Sequence, residues 1–419
     1  MPGRDDARSR LESALPPAAI VARGEELTLH PFSEEEISAA VWICRETRTP
    51  LAPVGGDTHV EVGGPVPPQA VRLSLSRLNG LVEHDDANLT VSAQAGMTVA
   101  ALQSVLRSRD QFAVLETARP ERATVGGVVA SNINGYRRTA YRSIRDLVIG
   151  MRLVTGNGEI VKAGGKVVKN VAGYDMCKLF VGSLGTLGVI TGITARVEPA
   201  PEAEATFLLG GGGQGPGANG AVAIAGAMAD PPLLPTAVAL LNRAAARRVS
   251  AGEHATVLVR VEGFPTVIER SEREIRARAG GEPRRLEGPA HTSVWDRLGA
   301  LGWEGPEGLI RVILPRDELA DAWVALDRAA GSAEMAADLL SGTIWVIPRV
   351  EAFAAVVETL ASTAERSGGH LLIARLPTGF APLPAAQRWR PVPASLPLMA
   401  GLKHAFDRDG ILNPGRFLV

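Results

Sequence analysis

The alternation of apolar and polar positions predicts helices and short strands in the N-terminal half. Residues 33–48 are predicted as a helix, because Ser33 can cap its first turn and apolar side chains recur at helical spacing. Thr98 precedes a second predicted helix at residues 99–106. Gly156-Asn157-Gly158 predicts a hairpin turn, since both residue types accept positive φ. Period-two patterns predict strands, at 71–75, 81–83, 89–93, 146–155, 159–162 and 189–197.

The C-terminal half has a looser pattern, which predicts an α+β unit with a small sheet covered on one face. Its strands are predicted at 256–261, 309–314, 343–347 and 371–376, and its helices at 267–278, 319–330 and 352–367. A short helix at residues 402–407 and an ordered tail at 410–417 follow.

A change in composition divides the chain into predicted units. Residues 201–236 are rich in glycine, proline and alanine, as expected of a connection between domains. The predicted units are an N-terminal extension (1–30), a first domain (31–200), the Gly/Pro-rich connection (201–236), an α+β cap domain (237–398) and a C-terminal tail (399–419).

Length and charge narrow the classes of function. At 419 residues and 43.9 kDa, the chain is long enough for two or three domains and a buried cofactor. Its 44 basic and 45 acidic residues give no electrostatic reason to expect nucleic acid or an anionic membrane as partner. Neither a secretion signal nor a spanning helix is predicted, so we expect a cytoplasmic protein. Any peripheral contact with the inner membrane would then run through partner subunits.

Cysteine usage limits the redox chemistry that the chain can hold. Only Cys44 and Cys177 are present, so neither a disulfide framework nor a CxxC metal site is expected. An iron–sulfur cluster usually takes four thiolates. If the chain passes electrons onward, the next carrier therefore lies on another chain or is a diffusible acceptor. We expect both thiols to be inert core residues.

Two glycine pairs suggest a phosphate site. They are Gly55-Gly56 within residues 53–58 and Gly126-Gly127 within residues 124–132. Without a Cβ, such a pair lets backbone N–H groups converge on an anion, and each segment has a hydroxyl residue nearby. One pair alone more often marks a plain turn. Two pairs in one domain are compatible with a cradle for a diphosphate.

A third glycine motif is rejected. Gly210, Gly212 and Gly215 match GxGxxG, and Asp230 follows at a distance typical of dinucleotide folds. Residues 216–220 contain Pro and Gly, which are the poorest starters of the helix that this motif requires. We interpret the segment as a loop.

Four segments together resemble the FAD-binding module of the vanillyl-alcohol-oxidase and p-cresol-methylhydroxylase (PCMH) superfamily. The resemblance covers residues 34–197 and rests on the order and spacing of PVGGDT (53–58), TVGG (124–127), GYRRTAYRSIRDLVIG (135–150) and GSLGTLGVIT (182–191). Within that superfamily, the block 165–179 and the tail LNPGRF (412–417) resemble a family of FAD-binding subunits of bacterial glycolate oxidase.

The resemblance implies an α+β fold, with a two-lobed PCMH-type FAD-binding domain, a smaller cap domain and a tail that returns to the first domain. It also implies FAD in an extended pose, with the two glycine loops at the pyrophosphate and ribityl and residues 188–190 near the adenosine. The cofactor-binding residues expected on this basis are Pro53, Val54, Gly55, Gly56, Asp57, Thr58, Thr124, Gly126, Gly127, Ser131, Asn132, Gly188, Val189, Ile190 and Asn413.

Two departures from the superfamily pattern bear on the flavin. Where relatives attach FAD through histidine, that histidine directly follows the first glycine pair, but here Asp57 stands there and His59 is displaced by two residues. We therefore expect non-covalent FAD, with His59 as a loop residue. Relatives carry glycine where this chain has Arg142, which either lies beside the flavin or is a solvated surface residue.

The catalytic residues are not identified by the sequence. Related larger subunits carry a His-rich metal and substrate motif that is missing here, so no metal site is expected, and His291, His370 and His404 are expected to be structural. Arg311, Arg349 and Arg375 are candidate partners for a substrate carboxylate. Three lysines surround Gly173-Tyr174-Asp175, namely Lys166, Lys169 and Lys178. They form either a basic rim, which faces the flavin or a partner subunit, or a solvated loop face.

Three functions remain open. The first is an FAD subunit that oxidises glycolate to glyoxylate and passes electrons to an iron–sulfur partner, alongside a second FAD subunit. The second is a free-standing FAD dehydrogenase of D-lactate or another 2-hydroxy acid. The third is a non-catalytic FAD-binding scaffold within the complex. Shared fold does not choose among them.

Overall fold

The computed structural model describes residues 2–165, 174–210 and 218–419. Lys166 and Lys169 of the proposed basic rim, and Gly212 and Gly215 of the rejected motif, lie outside the described residues. Within the described ranges, the chain forms two lobes. The N-terminal lobe runs from Pro2 to Pro199, and the cap lobe runs from Ala203 to Arg390.

The N-terminal lobe begins with a small mixed sheet. Its strands lie in the order β1-β2-β4-β3, and the last three run parallel to one another. Its elements are α1 (Pro2–Ala14), a 3₁₀ turn (Pro17–Ala19), β1 (Ile20–Arg23), β2 (Glu26–Leu29), α2 (Glu34–Glu46), β3 (Leu51–Val54) and β4 (Val71–Ser74). The Ser33 hydroxyl accepts a hydrogen bond from the N–H of Glu36, which confirms the predicted start of α2.

A second, antiparallel sheet completes this lobe in the order β5-β6-β10-β8-β9. Its strands and the short pair β7 and β11 are β5 (Leu81–Asp85), β6 (Thr90–Gln94), β7 (Gln111–Phe112), β8 (Val148–Thr155), β9 (Ile160–Gly164), β10 (Gly188–Arg196) and β11 (Glu198–Pro199). The helices are α3 (Val99–Arg107), α4 (Val125–Ser131), α5 (Arg138–Tyr141), α6 (Ile144–Leu147) and α7 (Cys177–Phe180). Strands β8 and β9 pair antiparallel from Val154 and Ile160, which confirms the predicted hairpin.

The cap lobe is built on one long sheet in the order β15-β12-β14-β13-β17-β18-β16-β19-β20. Its strands are β12 (Ala203–Leu209), β13 (Ala237–Leu241), β14 (Thr256–Gly263), β15 (Arg284–Leu286), β16 (Leu309–Ile313), β17 (Glu334–Asp338), β18 (Thr343–Ile347), β19 (His370–Arg375) and β20 (Trp389–Arg390). Its helices are α8 (Ala218–Ala229), α9 (Arg243–Arg248), α10 (Pro265–Ala279), α11 (Gly288–Ala300), α12 (Leu319–Ala330), α13 (Phe353–Arg366) and α14 (Ala385–Arg388), with 3₁₀ turns at Arg316–Glu318 and Val350–Ala352.

The two faces of the cap sheet have different neighbours. One face packs under helices α8, α10, α12 and α13 in an apolar core that includes Val259, Ile310 and Trp323. The other face joins a core with side chains of the N-terminal lobe, among them Tyr136 and Leu184. The prediction of a small sheet covered on one face was wrong, because this sheet is long and its second face closes against the N-terminal lobe. The segment 201–236, expected as a connection, contains β12 and α8.

The C-terminal tail follows helix α15 (Leu396–Phe406) and reaches the N-terminal lobe. Leu412 bridges Leu51 of β3, and the Asn413 side chain donates to the Leu184 carbonyl at 2.8 Å. Lys403 ties the helix down, since its Nζ donates to the carbonyls of Thr186 and Leu412. In the described part of the chain, every helix is too short or too polar to cross a bilayer.

Candidate functional site

The loop of the first glycine pair lies against the segment that leads into the second. A Cβ at Gly55 would lie 2.1 Å from the Thr124 hydroxyl oxygen, and one at Gly56 would lie 1.7 Å from the Arg122 carbonyl oxygen. A Cβ at Gly126 would lie 2.6 Å from the Ala95 side chain. At these distances only glycine fits without moving backbone, so the sequence brings the two segments into direct contact.

The backbone N–H groups of the two glycine segments differ in whether they already have acceptors. The N–H of Gly126 donates to the Ala95 carbonyl and the N–H of Gly127 donates to the Thr124 hydroxyl, so both are already used. The N–H groups of Gly56, Asp57 and Thr58 have no backbone acceptor within the described residues. The first pair is therefore suited to bind an anion through its backbone, while the second holds that loop in place.

One cavity of about 100 Å³ gathers almost all the expected cofactor residues. Of the residues predicted from sequence, Asn132 and Val189 do not line it. Val189 is fully buried between Gly188 and Ile190, because alternate residues of strand β10 face opposite sides. The cavity is also lined by residues that the sequence analysis did not select, which are His59, Val60, Leu75, Ala130, Leu184, Gly185 and Arg416.

Positive charge surrounds this cavity. The Arg416 side chain comes from the tail, and burial together with nearby Arg388 lowers its pKa to about 10. Arg119 and Arg122 donate to the carbonyls of Thr58 and Gly56, each at 3.4 Å. Asp57, a carboxylate in the loop, is neutralised by an ion pair of 2.8 Å with Arg72. A diphosphate matches this excess of guanidinium groups and free N–H groups.

A larger cavity of about 590 Å³ lies between the lobes. Its walls carry aromatic side chains from both lobes, which include Phe112, Tyr136, Trp295, Trp303 and Trp345. The Trp303 ring lies 4.4 Å from the His59 ring and 5.9 Å from the Trp345 ring, measured between centroids. Planar aromatic walls of this kind suit a planar aromatic ligand.

A chain of ion pairs joins the lobes at one side of this cavity. Arg137 of the N-terminal lobe donates to Glu116 at 2.8 Å and to Glu262 of the cap lobe at 3.3 Å. Arg260 lies between Glu262 and Glu204, with nitrogen to oxygen distances of 2.6 and 3.0 Å. His291 and Arg260 hold the pKa of Glu204 at about 2. The network fixes the cap against the N-terminal lobe, because each charge in it needs its partner.

The three arginines considered for a substrate carboxylate have different environments. The Arg375 guanidinium is occupied by backbone acceptors, since it donates to the carbonyls of Gly302, Glu304, Gly305 and Glu307. Arg349 is exposed. Arg311 has a buried Nε with no hydrogen-bond partner in the described part of the chain. Desolvation and the positive charge of Arg138 lower the pKa of Arg311 to about 10.

The remaining candidates have structural or surface positions. The Lys178 ammonium donates to the carbonyls of Arg145 and Val148. These bonds fix helix α7, which contains Lys178, against the segment 145–148. Arg142 is exposed and has a φ of 77°. His291 lies 2.8 Å from the Thr206 hydroxyl, within the cap lobe. Among the described residues, no group of three or more His, Cys, Asp and Glu side chains could hold a metal ion.

Comparison with known proteins shows which cofactor this part of the chain binds. The family model of FAD-binding domains matches residues 26–164. This part of the chain is an FAD-binding domain. The predicted cofactor, FAD, is confirmed, and the glycine contacts, the free N–H groups and the guanidinium groups described above fit its diphosphate.

Solved structures confirm the predicted fold class. The chain superposes on p-cresol methylhydroxylase with substrate bound at a TM-score of 0.76 and 15% identity, covering 99% of this chain and 97% of that one. It also superposes on 4-ethylphenol oxidase from Gulosibacter chungangensis at a TM-score of 0.74 and 16% identity, covering 99% and 97%. At such identities the likeness concerns the PCMH-type fold alone.

Curated relatives match less than half of the chain. Glycolate oxidase subunit GlcD of Bacillus subtilis is 36% identical over 44% of this chain and 39% of its own length. Glycolate oxidase subunit GlcE of Escherichia coli is 38% identical over 40% of this chain and 47% of its own length. A D-lactate dehydrogenase of Anaerostipes hadrus is 36% identical over 44% and 38%. The chain thus spans less than half the length of these relatives.

Proposed function

We propose that this chain is the FAD-binding subunit of an oxidoreductase that oxidises a small 2-hydroxy acid, with glycolate as the first candidate. The names of the relatives support this class, because they are glycolate oxidase subunits and a D-lactate dehydrogenase. FAD, when bound, supplies the acceptor for a hydride from the hydroxyl-bearing carbon. The residues of the chain must then supply a site for the carboxylate of the substrate.

The buried guanidinium of Arg311 is the main support for this proposal. Arg311 lies on strand β16 opposite Trp345, and Trp345 is one of the residues that line the cavity between the lobes. Its guanidinium carbon is 5.9 Å from that ring, and its buried Nε lacks an acceptor within the described residues. A buried guanidinium without a carboxylate is costly unless a ligand provides one.

A second guanidinium strengthens the preference for an anion. Arg138 of helix α5 comes from the N-terminal lobe and lies close enough to lower the pKa of Arg311. Two cations that repel each other across the boundary between the lobes both gain when a carboxylate binds between them. Glu116, Glu204 and Asp296 line the cavity, so an acidic substrate is favoured only near Trp345, beside which Arg311 lies.

Binding of oxalate to the flavoprotein tests this assignment, because oxalate resembles a 2-hydroxy acid but cannot donate a hydride. We expect oxalate to perturb the flavin spectrum, and Arg311→Met to raise its Kd by about 10- to 100-fold, as expected for charge-assisted hydrogen bonds. Arg349→Met, at an exposed arginine, is the matched control and leaves the Kd unchanged. Equal Kd values for both variants would remove Arg311 from the site.

The proposal also includes a partner that carries electrons away. Cys44 and Cys177 are both buried, and burial raises their pKa values to about 12 and about 11. These thiols are poorly suited to ligate a cluster, which usually needs four thiolates. An iron–sulfur subunit and a second FAD subunit would complete the assembly, and an assembly is supported by the names of two relatives, which are subunits of glycolate oxidase. The flavin is proposed to be held without a covalent bond.

A free-standing D-lactate dehydrogenase is the second candidate, favoured by the equally similar relative from Anaerostipes hadrus. Turnover of D-lactate with an artificial dye by the isolated chain would support it. Turnover of glycolate only after co-purification with partner subunits would support the complex. A flavin that no 2-hydroxy acid reduces in either preparation would leave the chain as an FAD-binding scaffold.

A further inference from the structure

His59 occupies the junction between the two cavities. Among the described residues, it alone lines both the small cavity at the glycine pairs and the large aromatic cavity between the lobes. The side chain is 9% exposed, although the sequence suggested an ordinary loop residue. Burial and the nearby charge of Arg119 lower its pKa to about 4, so the imidazole is neutral at physiological pH.

The tautomer of this imidazole follows from its neighbour. His59 Nδ1 lies 3.0 Å from the Ser131 hydroxyl, and that hydroxyl donates its one proton to the Val128 carbonyl at 3.1 Å. Ser131 therefore accepts from His59, which puts the imidazole proton on Nδ1. Nε2 then carries a lone pair.

That lone pair has no donor among the residues that the structure describes. Nε2 of His59 is buried without a hydrogen-bond partner in the described part of the chain. The Trp303 ring covers the imidazole at 4.4 Å, and the Arg375 clamp on the carbonyls of residues 302, 304, 305 and 307 holds the loop that carries Trp303. A buried acceptor of this kind is costly unless a ligand donates to it.

The order of groups in FAD indicates which part passes His59. The diphosphate matches the small cavity, and the planar isoalloxazine matches the aromatic walls of the large one. The ribityl chain connects these two groups, and its three hydroxyls are hydrogen-bond donors. We propose that His59 positions FAD by accepting a hydrogen bond at Nε2 from one ribityl hydroxyl, with Trp303 of the cap lobe closing over the contact.

The experiment measures FAD affinity, which does not depend on the substrate or on turnover. Apoprotein is prepared from the purified flavoprotein, and Kd is measured by quenching of flavin fluorescence for FAD and for its 2′-, 3′- and 4′-deoxyribityl analogues. We expect His59→Leu to weaken FAD binding by about 5- to 10-fold, as expected for one hydrogen bond. For one of the three analogues, we expect His59→Leu and the unmodified protein to have the same Kd, because that analogue lacks the hydroxyl that donates to His59.

Two further substitutions separate this contact from the bond to Ser131. His59→Gln keeps an acceptor near the position of Nε2, and we expect it to retain most of the FAD affinity. His59→Asn keeps a donor near Nδ1 but removes the outer acceptor, so it should behave like His59→Leu. Melting temperatures of the apoproteins show whether a variant has lost its fold rather than its contact.

Three results would overturn the proposal. One is an FAD Kd for His59→Leu equal to that of the unmodified protein, with the fold intact. Another is the same loss of affinity with all three deoxy analogues. The last is flavin that stays attached after acid precipitation of the unmodified protein and is released from His59→Leu, since Nε2 would then be bonded covalently to the flavin.

Discussion

Gly56 packs directly against the carbonyl oxygen of Arg122. A Cβ at Gly56 would lie 1.7 Å from that oxygen, and the Arg122 guanidinium in turn donates to the Gly56 carbonyl at 3.4 Å. The contact joins the loop of the first glycine pair to the segment that leads into the second. It therefore sets the shape of the proposed diphosphate cradle.

Gly56→Ala should expel the cofactor. The added methyl group has only backbone to displace, so the loop and its N–H groups must move. We expect purified Gly56→Ala to contain little FAD, measured as the ratio of absorbance at the flavin band to that of the protein.

Gly226→Ala is the matched control, because a Cβ at Gly226 meets no atom within 4 Å and lies within helix α8. That change should leave the FAD content unaffected and stabilise the fold by up to about 1 kcal/mol. Full flavin occupancy in Gly56→Ala would show that the cradle lies elsewhere.

Arg416→Met should weaken the binding of FAD more than that of riboflavin. The guanidinium of Arg416 lines the small cavity, and a diphosphate there would be its natural counter-ion. Loss of one charge-assisted contact corresponds to about 10- to 100-fold in Kd for FAD. Riboflavin lacks the diphosphate, so its Kd should not change. Arg408→Met, at an exposed position of the same tail, serves as the control, and an equal effect of Arg416→Met on both ligands would argue against a phosphate contact.

Arg142→Gly should stabilise the protein. Arg142 has φ 77° and ψ 163°, a backbone region that is almost restricted to glycine and costs other residues on the order of 1–3 kcal/mol. Glycine removes that strain at a smaller cost in chain entropy, so a net gain of roughly 1 kcal/mol is expected from urea unfolding. Arg145→Gly, within helix α6, should instead destabilise. A loss of stability in Arg142→Gly would mean that the exposed guanidinium makes a contact that outweighs the strain.

Asp338→Asn should stabilise the fold increasingly as the pH rises. Burial raises the pKa of Asp338 to about 7 in the folded protein, from 3.8. The folded state therefore prefers the protonated carboxyl, and the stability that this group contributes is complete below about pH 4 and lost as the pH rises towards 7. Asparagine cannot ionise, and its oxygen can still accept from the Leu340 N–H. The shift in pKa corresponds to on the order of 4 kcal/mol.

Melting temperatures of Asp338→Asn and the unmodified protein between pH 4 and pH 8 measure this effect. Asp317→Asn, at an exposed site, should show no such trend. A constant difference across the range would indicate that Asp338 is ionised throughout.

Local signals in the sequence were sufficient for the FAD-binding domain. Ser33 and Thr98 cap the helices that they were expected to cap, because an N-cap depends on residues within one turn. The glycine pairs are also local features, and all four glycines line the small cavity. Much of the cap sheet was missed. Strands β13 and β17 are rich in alanine, which is a poor strand former in isolation, and they are stabilised by burial between neighbouring strands.

The most informative residues of the site depend on distant contacts. His59 was expected to be an ordinary loop residue, since nothing near it in sequence reveals that Trp303 of the cap lobe covers it. Arg311, Arg349 and Arg375 were equivalent candidates in the sequence, and only the tertiary structure shows that Arg375 binds carbonyls while Arg311 lacks an acceptor among the described residues. Arg416 lies in the tail segment LNPGRF, which the sequence comparison with the superfamily had already singled out. Its positive charge was the one feature of the sequence that could have marked it as a phosphate ligand.

Anaerobic mixing of the purified flavoprotein with glycolate tests the proposed function most directly, with absorbance followed at the oxidised flavin band. We expect glycolate to bleach the flavin of the protein co-purified with its partner subunits, and Arg311→Met to require a higher glycolate concentration for the same rate. The proposed function is wrong if dithionite bleaches the flavin while glycolate, D-lactate and D-2-hydroxyglutarate all leave it oxidised.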